Sequence, residues 1–280
     1  MIIWLASYPK SGNTLVRSLL ASYFFSDEGE FNFNLLRMID QFPNIRLFKE
    51  LGINLSDRNE IDKNYIEAQK LINKKKNSLQ FWKTHNAFCK LQGKYDFTDL
   101  ANTLGVIYIV RDPRNVVSSY SNHYQRTIEE SVNNLNSNIE ISQSKNDKLP
   151  VFIGSWKFHY TSWKQLKSLN KYLLIKYEDL LIDTEKTFLE ILDFINKISN
   201  AQLVINKSKV IKVIENTSFD KIKDLENKIG FAEAKKDKHG NKINFFNLGP
   251  ENKWEDNLDS SIRGQIENNF YNEMKELNYL

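Results

Sequence analysis

Four short, mostly apolar runs are spaced along an otherwise mixed chain: Ile2 to Ala6, Leu79 to Lys83, Val106 to Val110 and Tyr172 to Lys176. A strand with one face in water alternates apolar and polar residues, whereas a strand covered by helices on both faces is apolar on both. These runs follow the second pattern and predict a parallel sheet. Between them, apolar residues recur at helical spacing in "NTLVRSLLASYF", "NVVSSYSNHY", "SWKFHYTSWKQLKSL" and "DTEKTFLEILDFI", the last opening on Asp183 or Thr184 as its N-cap. The alternation of strand and helix predicts a single α/β domain over residues 1–280, with a central parallel sheet flanked by helices.

The remaining stretches read differently. Residues 30–78 are expected to form a mostly helical insertion. Residues 129–150 and 232–244 are polar and expected to be mobile loops, the second able to fold over a ligand. Residues 261–280 fit a helix packed on this domain or on a partner chain, so the pattern leaves the oligomeric state open.

Charge and cysteine content narrow the function classes. The 39 Lys and Arg residues are nearly balanced by 35 Asp and Glu, a net charge of +4, without the basic stripe expected of a nucleic-acid binder. The densest basic run, Lys74 to Lys76, reads as a solvated helix end. The single cysteine, Cys89, allows no internal disulfide and no cysteine cluster for zinc. No apolar run reaches the roughly 18 residues of a membrane span, and with the first strand at Ile2 no leader is expected. The expectation is a cytoplasmic protein with no nucleic-acid partner and no stable membrane insertion.

Ligands of open parallel sheets bind beyond the carboxyl ends of the strands, and each run here delivers polar residues to that edge. They are Ser7 to Thr14, then Lys83-Thr84-His85, then Arg111-Asp112-Pro113-Arg114, then Tyr177-Glu178-Asp179. The first of these, "SYPKSGNT", is a P-loop-like phosphate-binding loop, in which the backbone N–H groups of Ser11, Gly12, Asn13 and Thr14 would cradle a phosphate at a helix N-terminus. A triphosphate loop places its lysine directly after the second glycine; here that place is Asn13, and Lys10 lies two positions before Gly12. A metal-dependent phosphoryl transferase also needs an acid after an apolar strand. The third strand ends instead in Arg111, whose fork suits a second phosphate, while Asp112 before Pro113 reads as a turn former. These residues predict a metal-free site for two phosphates. A nucleotide kinase or hydrolase, and a non-catalytic nucleotide-binding module, stay open as alternatives.

The segments "YPKSGNT", "WKTHNAF", "YIVRDPRNVVSSYSNHY", "GSWKFHYTSW", "KYEDLLID" and "ENTSF", in this order, resemble the sulfotransferases that use 3′-phosphoadenosine 5′-phosphosulfate (PAPS), from residue 1 to about 257. The resemblance implies a sulfuryl transfer from PAPS, with 3′-phosphoadenosine 5′-phosphate (PAP) as product and no metal. It assigns Lys10, Ser11, Gly12, Asn13 and Thr14 to the 5′-phosphosulfate, and Arg111 and Ser119 to the 3′-phosphate. Tyr177, Thr217 and Phe219 would line the adenine pocket, with Gly249 in the C-terminal cofactor motif. His85 would be the base and Lys83 would stand beside it. Lys10, displaced from the usual position, would follow the bridging oxygen of the leaving phosphate.

The implied acceptor is a small molecule, glycan or lipid bearing a hydroxyl, or secondarily an amine. Residues 30–78 and 127–150 would wall its side of the site, with Phe81, Phe88 and Tyr124 as contacts. His123 and His239 are expected at the surface or in packing, and His159 in helix packing. Two departures from the family pattern stand out. Leu15 replaces a tryptophan that stacks on adenine, and Asn247 and Leu248 occupy the positions of two cations, for which Lys242 or Lys253 would compensate.

Overall fold

The computed structural model describes residues 1–75, 79–141, 149–237 and 239–280. Its central sheet has four parallel strands in the order Gln80–Thr84, Ile2–Ser7, Thr103–Val110, Tyr172–Lys176. The period of two along each strand sorts side chains onto two cores. Ile2, Trp4, Ala6, Val106, Tyr108 and Val110 face one, and Ile3, Leu5, Phe81, Ile107, Ile109 and Ile175 face the other. Both faces are therefore dry, which is why the runs are apolar throughout; each fully buried Leu, Ile or Phe contributes roughly 1.5–3 kcal/mol.

The helices that cover these faces begin where the sequence signals a start. Asn13–Phe25 starts after Gly12, Pro113–Tyr124 is capped by Asp112 through the Arg114 N–H, and Thr184–Ser199 is capped by Asp183 through the Lys186 N–H at 2.9 Å. Residues 30–75 contain the helices Ile45–Glu50, Arg58–Lys63 and Tyr65–Lys75. At the C-terminus, Ile266, Phe270, Met274 and Leu277 are buried in this domain's own core.

The stretch expected as a loop at 129–150 is partly regular. Ile128–Asn136 is a helix closed by a capping box between Thr127 and Glu130, and Ile139–Ile141 pairs with Val151–Gly154. Its charged sequence hid a buried stripe of Ser131, Val132 and Leu135 at helical spacing. Residues 142–148 lie outside the described residues, as does Lys76 in the basic run. In the second polar stretch Lys235–Lys236 and Lys242–Ile243 pair as a short antiparallel hairpin. Among the described residues no helix is long and apolar enough to cross a membrane.

The chain leaves the first strand to one side, toward Gln80–Thr84, and later returns on the other side as Thr103–Val110. The strand order thus reverses beside Ile2–Ser7, and such a reversal opens a crevice at the carboxyl edge of the sheet.

Candidate active site

A cavity of about 770 Å³ lies at this edge. Pro9, Lys10 and Gly12, from the loop after the first strand, line it. Lys10 and Gly12 both have left-handed backbone, with φ of 68° and 97°. Gly12 is required twice over, because a Cβ there would also meet the Tyr177 ring at 2.3 Å. No side chain caps the following helix, its first turn carries no acid, and Leu15 is the first N–H to fold back, onto the Gly12 carbonyl at 3.0 Å. The N–H groups before it are left for a ligand, and an anion is the ligand a helix N-terminus favours. The Asn13 amide instead braces the loop from within, donating to Leu5 O at 2.9 Å and Ser7 Oγ at 3.2 Å.

Parallel register delivers the next groups. Ala6 pairs with Thr84, so the following residues, Ser7 and His85, are neighbours. His85 Nδ1 lies 2.8 Å from the Ser7 carbonyl oxygen. A carbonyl only accepts, so Nδ1 carries the proton, and Nε2 of the neutral ring is left as an acceptor. Burial first, and then the neighbouring Lys83, push the imidazole down to about 3. Behind it, Tyr108 donates to Nδ1 of the fully buried His159 at 2.8 Å, and His159 Nε2 donates to the His85 backbone oxygen at 3.2 Å. The packing role expected for His159 is thus a buried prop under the strand end that carries His85.

Three cations converge on the same space. Lys10 lines the cavity with its ammonium 4.0 Å from the Phe245 ring centroid, and burial, Arg111 and Lys83 push it down to about 7. Lys83, only 4% exposed, meets Glu233 Oε2 at 2.8 Å. Arg111 lies over the Tyr177 ring at 4.4 Å and donates to the Lys10 and Gly249 carbonyls at 3.3 and 3.4 Å, while its Nε has no hydrogen-bond partner among the described residues. The buried Oγ atoms of Ser11 and Ser118 likewise have no partner among the described residues. Buried polar groups are normally satisfied, so this concentration of orphans around converging cations fits an anionic ligand bearing several oxygens.

The structure brings Lys10, Gly12, Asn13, Thr14, Lys83, His85, Arg111, Ser119, Tyr177, Phe219 and Gly249 to one cavity, whereas Ser11, fully buried in the loop, does not line it. Thr217 does not line it; its hydroxyl donates to Val213 O at 2.8 Å within its own helix. Phe81 is core, packed on Phe24, and Phe88 packs on Trp163, so of the three aromatic acceptor contacts expected only Tyr124 lines the cavity. Arg114 turns away, to Asp112, Glu267 and the Tyr279 carbonyl. His239 is exposed, whereas His123, expected at the surface or in packing, lines the cavity, and its buried Nδ1 has no partner among the described residues. Its position one helical turn after Ser119 was the available signal.

Neither compensating cation lines this cavity. Lys242 donates to Glu226 O at 2.9 Å, and Lys253 borders a smaller cavity on the far side of Arg111. Lys235 does line it, 3.9 Å from the Tyr124 ring centroid. Asn247 and Leu248 line it as well, where the family pattern has cations. The cavity is also lined by Asp40, Gln41 and Pro43 to Arg46 from the first segment expected to wall it, by Leu149 alone from the second, and by Val151 and Ile153 just beyond that segment.

Comparison with known proteins agrees with this geometry. The sulfotransferase domain family matches residues 2–278. Sulfotransferase 2A1 of Rattus norvegicus is 36% identical over 93 residues, 33% of this chain and 31% of its own length, so the chain aligns with about a third of that relative. Sulfotransferase 1E1 of Mus musculus is 23% identical over 97% of this chain and 83% of its own length. Among solved structures, mouse sulfotransferase SULT7A1 complexed with PAP superposes with a TM-score of 0.62 at 19% identity, covering 98% of this chain and 84% of that one. Retinol dehydratase complexed with androsterone and inactive cofactor PAP gives 0.61 at 16%, covering 98% and 80%. At these identities the structural likeness establishes the fold.

Proposed function

The chain belongs to the sulfotransferase domain family, and from that premise we propose that it transfers a sulfuryl group from PAPS to a hydroxyl, or secondarily an amine, of a small acceptor. PAPS supplies the activated sulfuryl group; everything else is asked of this chain's residues. The observation that carries the reading is the bond from His85 Nδ1 to the Ser7 carbonyl. It orients a neutral imidazole with Nε2 free to take a proton, on a cavity wall shared with Lys10, Lys83 and Arg111.

The roles follow from charge and position. The N–H groups at the start of helix Asn13–Phe25 and the Ser11 hydroxyl hold the 5′ end of the nucleotide, and Arg111 with Ser119 holds the 3′-phosphate. Tyr177 and Phe219 offer ring faces to adenine; Thr217 closes its helix behind them. Lys10 and Lys83 meet the negative charge that grows as the sulfuryl group departs. His85 accepts the acceptor proton, a task worth roughly 10²- to 10⁴-fold in rate. PAP in two of the structural neighbours agrees with this nucleotide, and androsterone in one agrees with a small hydroxyl-bearing acceptor.

A thermal-shift titration with PAP, run beside ATP with Mg²⁺, tests the proposal. Ligand at 100 times its dissociation constant adds about 2.7 kcal/mol to stability. Stabilisation by PAP alone is expected, and stabilisation only by ATP with Mg²⁺ would replace this reading with the kinase.

A further inference from the structure

Glu233 lies in the polar stretch ahead of the hairpin, and nothing in its sequence context marks it. Its two carboxylate oxygens are divided between two buried cations: Oε1 meets Arg17 Nη1 at 2.6 Å, and Oε2 meets Lys83 Nζ at 2.8 Å. Arg17 is itself immobilised, donating from Nε to Ile39 O at 2.7 Å and from Nη2 to Leu36 O at 2.6 Å. The backbone of Lys83 is fixed too, with its N–H on Asp40 O at 2.9 Å and its carbonyl accepting from Phe42 N–H at 2.8 Å. What the backbone does not fix is the end of the four-carbon lysine stem, which the side chain's own contacts must place. A lysine ammonium on such a stem is a point charge that finds its place only through its partners.

We infer that Glu233 is a positioning residue, an arm that takes its bearing from the fixed guanidinium of Arg17 and holds the Lys83 ammonium where the donor's anionic end is bound. The inference rests on the assignment of PAPS and Lys83 made above. Glu233 also belongs to the segment that supplies Ala232, Ala234 and Lys235 to the cavity wall, so the same contact registers that segment on the site.

The opposite role, an internal anion that competes with the donor for Lys83, predicts the opposite sign. Removing a competing carboxylate would tighten nucleotide binding. The charge environment argues against a gain of that kind. Arg111 and Lys83 disfavour the charged form of Lys10 while Glu233 and Glu226 favour it, and burial with the two cations already pushes its ammonium down to about 7. Removing the Glu233 charge lowers it further, which offsets part of the charge the site would gain.

A double-mutant cycle on PAP binding by calorimetry at pH 7.5 tests this without any acceptor. Glu233→Gln should weaken PAP binding about 5- to 20-fold when Lys83 is present and less than about 2-fold in a Lys83→Met background. Glu233→Asp keeps the charge but shortens the arm, so it should recover only part of the loss; it also substitutes in the cycle if the Gln variant does not fold. Equal effects of Glu233→Gln in both backgrounds, or tighter binding, overturn the inference. Failure of the unaltered protein to bind PAP overturns the functional assignment and this inference together, whereas binding without coupling overturns this one alone.

Discussion

The Nδ1 of His85 sits 2.8 Å from the backbone oxygen of Ser7, its neighbour on the adjacent parallel strand. Because the partner is a main-chain carbonyl, which only accepts, the bond selects the tautomer with its proton on Nδ1. The strand pairing that builds the sheet therefore also sets which imidazole nitrogen is basic.

His85→Ala should lower sulfuryl transfer by about 10²- to 10⁴-fold while leaving PAP affinity within about two-fold. Turnover of donor with a panel of hydroxyl acceptors, alongside PAP calorimetry, separates these effects. Near-normal turnover would remove His85 from the chemistry.

Nucleotide binding should consume a proton at alkaline pH. Lys10 lies at about 7 because burial, Arg111 and Lys83 disfavour its charged form. An anionic ligand favours that form, so above pH 7 complex formation returns the proton. Calorimetry at pH 8 in two buffers of different ionisation enthalpy should show uptake of on the order of one proton, declining toward none at pH 6. His85, at about 3, stays neutral across this window. No uptake at pH 8 would place Lys10 away from the ligand's charge.

The cation that stands in for the missing C-terminal pair should be Lys235. It lines the cavity, whereas the Lys242 ammonium is taken up by Glu226 O. A charged hydrogen bond is worth about 1.5–3 kcal/mol, so Lys235→Ala should weaken PAP binding roughly ten-fold or more, and Lys242→Ala should leave it unchanged. The reverse order would show that Lys242 leaves Glu226 when nucleotide binds.

Arg114 should matter to stability and little to ligand affinity. Its guanidinium is buried, pairs with Asp112 and Glu267 at 2.6 Å each, and lies 4.1 Å from the Trp254 ring centroid. Removing one partner of such a pair typically costs about 3–5 kcal/mol. Arg114→Ala should lower the denaturation midpoint markedly with PAP affinity retained in the folded fraction, and Arg111→Ala should show the opposite balance.

Much of the site was legible because local rules produce it. A glycine at a strand-to-helix turn, an aspartate before a proline and an arginine at a strand end are short-range features, and each falls where its segment placed it. Thr217 and Phe88 were misread for a different reason. A threonine hydroxyl can turn back onto its own helix, and an aromatic ring fits a core as well as a pocket, so only the neighbours decide. Residues 129–150 read as a loop because the charged positions of the helix Ile128–Asn136 mask a narrow buried stripe.

The sequence alone determined the parallel sheet, the phosphate loop and the order in which polar residues reach its edge, because these depend on periodicity and on residues adjacent in the chain. Only the tertiary structure decided which of those residues share a cavity, that Glu233 joins Arg17 to Lys83, and that His159 and Tyr108 lie beneath His85. Arg17 and Glu233 are 216 positions apart. Such contacts leave no periodic trace in either segment, since each arises from where the packed sheet and helices carry the two chains.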